Sequence, residues 1–161
     1  MKQAQNQKNT SKATDLMTEN TSILPARFNK DKDEWTFIDY SDANVKADIL
    51  TFVTYNTWFY DFYLEERFRA IIQLLRESDA DIIALQEITP ASLEIFLQTD
   101  WVRDNYFISD ISGSTLCSLN SSQTNYGVIL LSRIPIKNLN LYPLTSVMGR
   151  HVLIAEFDIN G

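Results

Sequence analysis

The sequence predicts a mixed α/β fold, α+β in its later part: a parallel strand–helix–strand–helix core gives way to short antiparallel strands. Two runs rich in β-branched and aromatic residues, ILTFVTYN at 49–56 and DIIALQEI at 81–88, flank a stretch of helical period. From about Tyr106 onward, alternating runs are separated only by short turns. With 161 residues, 45% hydrophobic and 12% aromatic, the chain suffices for one domain with a real core and is short for two.

Residues 1–22 are Gln, Asn, Lys, Thr and Ser with little that is large and apolar, and predict a disordered tail. A lead-in segment, 23–48, follows, in which Trp35 and Phe37 alternate like a short edge strand. Residues 49–161 form the remaining, structured unit. Ile49 to Asn56 reads as a largely buried strand. Leu64, Phe68, Ile71, Ile72 and Leu75 recur at helical spacing, which predicts an amphipathic helix with Asp61 as its N-cap. Asp81 to Ile88 is the second buried strand. Thr89-Pro90 then supplies an N-cap and a first-turn proline, and the helix after it turns Leu93, Phe96 and Leu97 inward. Strand, helix, strand implies a parallel pair with a right-handed crossover.

Tyr106 to Ile111, Tyr126 to Ser132, Ile136 to Leu144 and His151 to Ile159 predict strands that extend this sheet in antiparallel fashion, and the Ser-rich stretch Ser112 to Asn125 a surface loop. Ile159-Asn160-Gly161 ends an alternating run on a strong hairpin signal, so a returning strand is expected beyond it. On this reading the fold is truncated.

The formal net charge of −7 repels polyanions over the whole surface and argues against a protein that coats duplex nucleic acid. It leaves room for a nuclease, since a bound divalent ion and a few cationic side chains invert the field inside one cleft. One cysteine, Cys117, excludes an internal disulfide framework and has no sequence neighbour that would activate it. No apolar run reaches the roughly 18 residues of a membrane span and no signal-peptide core opens the chain, so an intracellular location, nuclear or cytoplasmic, is the expectation.

Two polar residues stand at the carboxyl ends of the two core strands: Asn56 after LTFVTY and Glu87 after IIALQ. That edge is where α/β sheets bind ligands. A carboxylate there suits Mg²⁺, which takes one or two carboxylates and leaves positions for water and phosphate oxygens. An amide beside it can accept from a metal-bound water and donate to a phosphate. Periodicity alone favours ordinary roles, with Glu87 as a cap beside Thr89-Pro90 and Asn56 as a turn residue. The aromatic run Trp58, Phe59, Tyr60, Phe62 and Tyr63 suits core packing first and base stacking second. Tyr126 and Gly127 read as ordinary strand residues.

In order and spacing, TYNTWF, ERFRAI, DIIALQEITP, NYGVILLSRIPI and MGRHVLIAEF resemble the endonuclease/exonuclease/phosphatase superfamily, over about Ile49 to Gly161. YNTWF, LQEITP and the MGR segment look most similar to its tyrosyl-DNA phosphodiesterases of the second type. The resemblance implies a four-layered α/β/β/α sandwich, here only about its first half. It implies Mg²⁺, with Mn²⁺ suiting the same oxygens, and hydrolysis of the bond between a tyrosyl adduct and a DNA 5' phosphate in repair. It makes Asn56 a positioner of substrate and water and, with Glu87, a metal-site residue, Glu87 being the metal ligand, and Arg150 a phosphate-contacting cation. Relatives often place an Asp where this chain has Trp58. Their Gly-Asp-x-Asn and Ser-Asp-His segments, which supply the water-activating Asp and a phosphate-contacting His, do not occur here. The single histidine, His151, matches neither and reads as structural.

The leading expectation is thus a phosphodiesterase whose present residues alone leave it inactive. The same residues would handle a lipid or RNA phosphodiester equally. A non-catalytic alternative uses an open sheet edge to self-associate or to pair with a partner.

Overall fold

The computed structural model describes residues 20–39, 44–117, 125–145 and 149–161. Its elements in chain order are β1 (Thr21–Ser22), β2 (Ala26–Asn29), β3 (Glu34–Phe37), β4 (Phe52–Asn56), α1 (Leu64–Ser78), β5 (Ile82–Ile88), α2 (Pro90–Gln98), α3 (Asp100–Asn105), β6 (Phe107–Ile108), β7 (Leu116–Cys117), β8 (Tyr126–Ser132), β9 (Asn138–Pro143) and β10 (His151–Glu156).

Period-two alternation along β5, β6 and β8 sets the layers, because successive side chains point to opposite faces. Ile83 and Leu85 of β5, Ile108 of β6, and Ile129 and Leu131 of β8 turn to one face. There they pack with Phe68, Ile71 and Leu75 of α1, Leu93, Phe96 and Leu97 of α2, and Trp101 and Val102 of α3. Phe107 and Leu130 turn the other way and meet Ile136 and Leu139, with Leu153 and Ala155 of β10. The result is a layer of helices, a seven-stranded sheet and a three-stranded sheet. The large sheet runs β3-β2-β6-β8-β5-β4 with β7 paired to β8, and the small one runs β1-β9-β10. This is a mixed α/β architecture of the expected type.

The β4-α1-β5 unit is parallel, with Asn56 opposite Gln86, and β8 runs antiparallel to β5. Helix α2 starts as expected: Thr89 and Ser92 form a reciprocal capping box around Pro90. β3 is an edge strand, as the Trp35 and Phe37 alternation predicts.

Several expectations are corrected. β4 is not buried: it is the opposite edge of the large sheet, and Phe52 remains 64% exposed. The Asp61 carboxylate does not cap α1, whose N-cap is Tyr63 in the left-handed region without a side-chain bond; the Asp61 carbonyl accepts from Leu64 N–H instead. The last two strands do not extend the first sheet but build the second. Tyr106 to Ile111 is strand only at Phe107–Ile108, after the unforeseen helix α3. The Ser-rich stretch contains β7, and its residues 118–124 lie outside the described residues. So does most of the expected tail, though Thr21–Ser22 pair with β9. Ile159 bridges Val45 in parallel, and Asn160 exchanges side-chain bonds with the backbone of Ala47 at 3.1 and 2.8 Å.

Asp110 anchors the turn that leads into β7. Its buried carboxylate accepts from Ser112 N–H and Oγ, Gly113 N–H, and Thr115 N–H and Oγ1, at 2.7–3.0 Å. Burial pushes its pKa up, but these bonds to the charged form prevail and hold it below the ordinary value. The turn sets β7 against Gly127, where an added Cβ would lie 2.1 Å from the Thr115 carbonyl. Among the described residues, no helix is long and apolar enough to cross a membrane.

Candidate active site

Strand polarity brings five strand ends together. β4, β5 and β9 finish, and β8 and β10 begin, at one end of the two sheets. Between the sheets at that end lies a cleft of about 250 Å³. The large sheet contributes Asn56, Gln86, Glu87, Tyr126, Gly127 and Val128, and the small one Leu144, Arg150 and His151.

Glu87 owes its orientation to a β-bulge. The β5/β8 register shifts between Gln86 and Ile88, and Glu87 takes φ 60°, a left-handed conformation that costs a non-glycine residue about 1–2 kcal/mol. The break leaves two carbonyls to be satisfied. Thr57, itself buried, donates from Oγ1 to the Gln86 and Glu87 carbonyls at 3.0 and 3.2 Å and from its N–H to Gln86 at 3.0 Å. The Glu87 carboxylate is aimed by one bond, Phe59 N–H to Oε2 at 3.2 Å.

At the end of β4, Asn56 Oδ1 accepts from Trp58 N–H at 2.9 Å, an Asx turn that commits the oxygen within the chain and leaves Nδ2 as the donor. Gln86 is tied back to Thr54 Oγ1 and the Ala84 carbonyl, both at 3.1 Å. Arg150 follows Gly149, which has φ 61°, and its carbonyl accepts from Leu144 N–H at 2.8 Å, closing the turn between β9 and β10. Met148 lies outside the described residues.

All three residues singled out from the sequence, Asn56, Glu87 and Arg150, therefore line one cleft, drawn from both sheets. Sequence reasoning set His151 aside as structural, yet it lines the same cleft. Tyr126 and Gly127, read from the sequence as ordinary strand residues, line it too, as does Gln86, for which the available signal was its position beside Glu87.

Among the described residues, no three His, Cys, Asp or Glu side chains converge as a metal cage. The donor set is one carboxylate with amide neighbours. That fits a hydrated hard cation such as Mg²⁺, which keeps several waters and needs only one or two carboxylates.

A family model described as the Endonuclease/Exonuclease/phosphatase family matches residues 53–161, more than half of the chain. No curated protein and no solved structure matches it.

Proposed function

Since the chain belongs to the endonuclease/exonuclease/phosphatase family, whose members are generally phosphate-ester hydrolases, we propose that its cleft binds a phosphodiester beside a divalent cation. Within that family the reading is of an intracellular DNA-repair phosphodiesterase acting on a 5' end that carries a tyrosyl adduct, as the YNTWF, LQEITP and MGR segments suggest. The observation that carries the phosphate reading is the convergence of Asn56, Glu87 and Arg150 in one cleft between two sheets.

Glu87 would hold the cation, Mg²⁺ or Mn²⁺. Bound there, the ion supplies charge stabilisation for the oxygen leaving phosphorus. Asn56 Nδ2 donates to a non-bridging oxygen, and the Arg150 guanidinium offers a fork matched to two phosphate oxygens. Phe59 N–H and the Thr57 bonds keep the Glu87 carboxylate oriented before ligand arrives. The sequence holds no Gly-Asp-x-Asn or Ser-Asp-His segment to supply a water-activating group. These residues therefore bind and orient, and turnover by this chain alone is expected to be very low.

Calorimetric titration tests the assignment. Mg²⁺ binding should weaken about tenfold or more in Glu87→Ala. Equal affinity in the two proteins would remove Glu87 as the ligand. Robust Mg²⁺-dependent cleavage of a 5'-tyrosyl oligonucleotide by this chain would overturn the expected inactivity.

A second reading rests on β4. No strand among the described residues pairs with its outer edge, where Ile49 and Phe52 are exposed. That edge is suited to association with a second copy of the chain.

A further inference from the structure

Aromatic rings climb out of the cleft in a continuous series. Tyr126 and Phe59 stack at 4.8 Å with their planes 11° apart, Phe59 and Tyr60 stack at 4.5 Å and 26°, and Tyr60 and Trp58 lie 5.4 Å apart. Exposure rises outward: Tyr126 is 6% exposed, whereas Trp58 and Tyr60 are 48% and 55% exposed. The core-packing role that the sequence favoured for this run is therefore wrong for its outer members. About half of each of these two side chains is open to solvent, and the series joins them through Phe59 to Tyr126 in the cleft.

The series is built rigidly. Arg67 of α1 donates to the carbonyls of Trp58 at 3.0 Å and Tyr60 at 2.5 Å, and to that of Phe62, while its guanidinium stands 5.2 Å from the centre of the Trp58 ring. Trp58 and Tyr63 sit at φ 63° and 47°, left-handed conformations that bulky residues keep only when their surroundings impose them. The same segment supplies the Phe59 N–H that aims Glu87, so ring placement and metal-ligand placement are fixed together. At the inner end, the Tyr126 Oη is buried without a hydrogen-bond partner in a side chain that lines the cleft.

We infer that these rings form a base-stacking subsite, taking the unpaired nucleobase of the nucleotide whose phosphate is held at Asn56 and Arg150. The inference rests on the phosphodiester reading and deepens it. Stacking on aromatic side chains is sequence-tolerant, because every base has a π-face. Asp61, exposed between Tyr60 and Phe62 in the chain, is an acceptor suited to the ring N–H or exocyclic amine of a base, which a bare aryl ester lacks. The net charge of −7 disfavours a long duplex across this face, so the favoured ligand is a frayed or single-stranded end.

The test is calorimetric titration in magnesium buffer with three phosphodiesters of equal charge: thymidylyl-thymidine, its analogue lacking both bases, and methyl phenyl phosphate. Thymidylyl-thymidine should bind about 10- to 100-fold more tightly than the base-free analogue. Trp58→Ala and Tyr60→Ala should each remove most of that advantage, and Trp58→Phe, which keeps a ring, should restore it. Equal binding with and without bases would overturn the subsite while leaving the phosphate reading intact. Methyl phenyl phosphate binding as tightly as thymidylyl-thymidine would overturn the nucleobase as occupant. If Arg150→Ala leaves all three affinities unchanged, the phosphate reading fails and takes the subsite with it.

Discussion

At the scale of single residues, the site is held in conformations that cost stability. Glu87 keeps φ 60° in the β5 bulge, where glycine would sit without strain. Glu87→Ala and Glu87→Gly both lose the carboxylate and its bond to Phe59 N–H, so their difference isolates the backbone term. Urea denaturation should find Glu87→Gly more stable than Glu87→Ala by about 1 kcal/mol. Equal stabilities would mean that the bulge relaxes. Asp110 carries a pH signature. Its folded pKa is depressed, so the stability it contributes is present above its ordinary unfolded value of about 4 and is lost as pH falls toward the folded value. Asp110→Asn places an NH₂ group among donors and should cost about 2–3 kcal/mol at neutral pH. Its stability should also fall less steeply than wild type below about pH 4, as read by denaturant midpoints across the acid range.

At the scale of elements, the cleft wall depends on the close approach of β7 to β8. Gly127 lines the cleft, and no Cβ fits between it and the Thr115 carbonyl. Gly127→Ala should therefore cost about 3 kcal/mol and raise amide exchange at Leu116, whose strand must move away. Wild-type exchange there would show that the turn held by Asp110 gives way more easily than its five hydrogen bonds suggest. These elements also show what local pattern encodes. Helices α1 and α2 and strands β5 and β8 were legible because each buries one face, and burial of one face imposes a period. Helix α3 was not, since six residues are less than two turns and carry little period of their own.

At the scale of the whole molecule, the exposed edge at β4 makes a prediction about assembly. Sedimentation velocity should show reversible, concentration-dependent association, and Phe52→Lys, which sets a charge on that edge, should weaken it about tenfold or more. A strictly monomeric protein at high concentration would remove the self-pairing reading. By itself, the sequence determined the helical and strand periods, the Thr89-Pro90 helix start, and the placing of Asn56 and Glu87 at strand ends. Each of these is fixed by neighbours a few residues away. Only the tertiary structure decided that β4 lies at an edge, that Arg150 and His151 reach the cleft from a second sheet, and that Trp58 and Tyr60 face solvent. Those facts depend on which distant segments become neighbours. A strand's own alternation records that it has a partner and a covered face, but not which strand or layer supplies them.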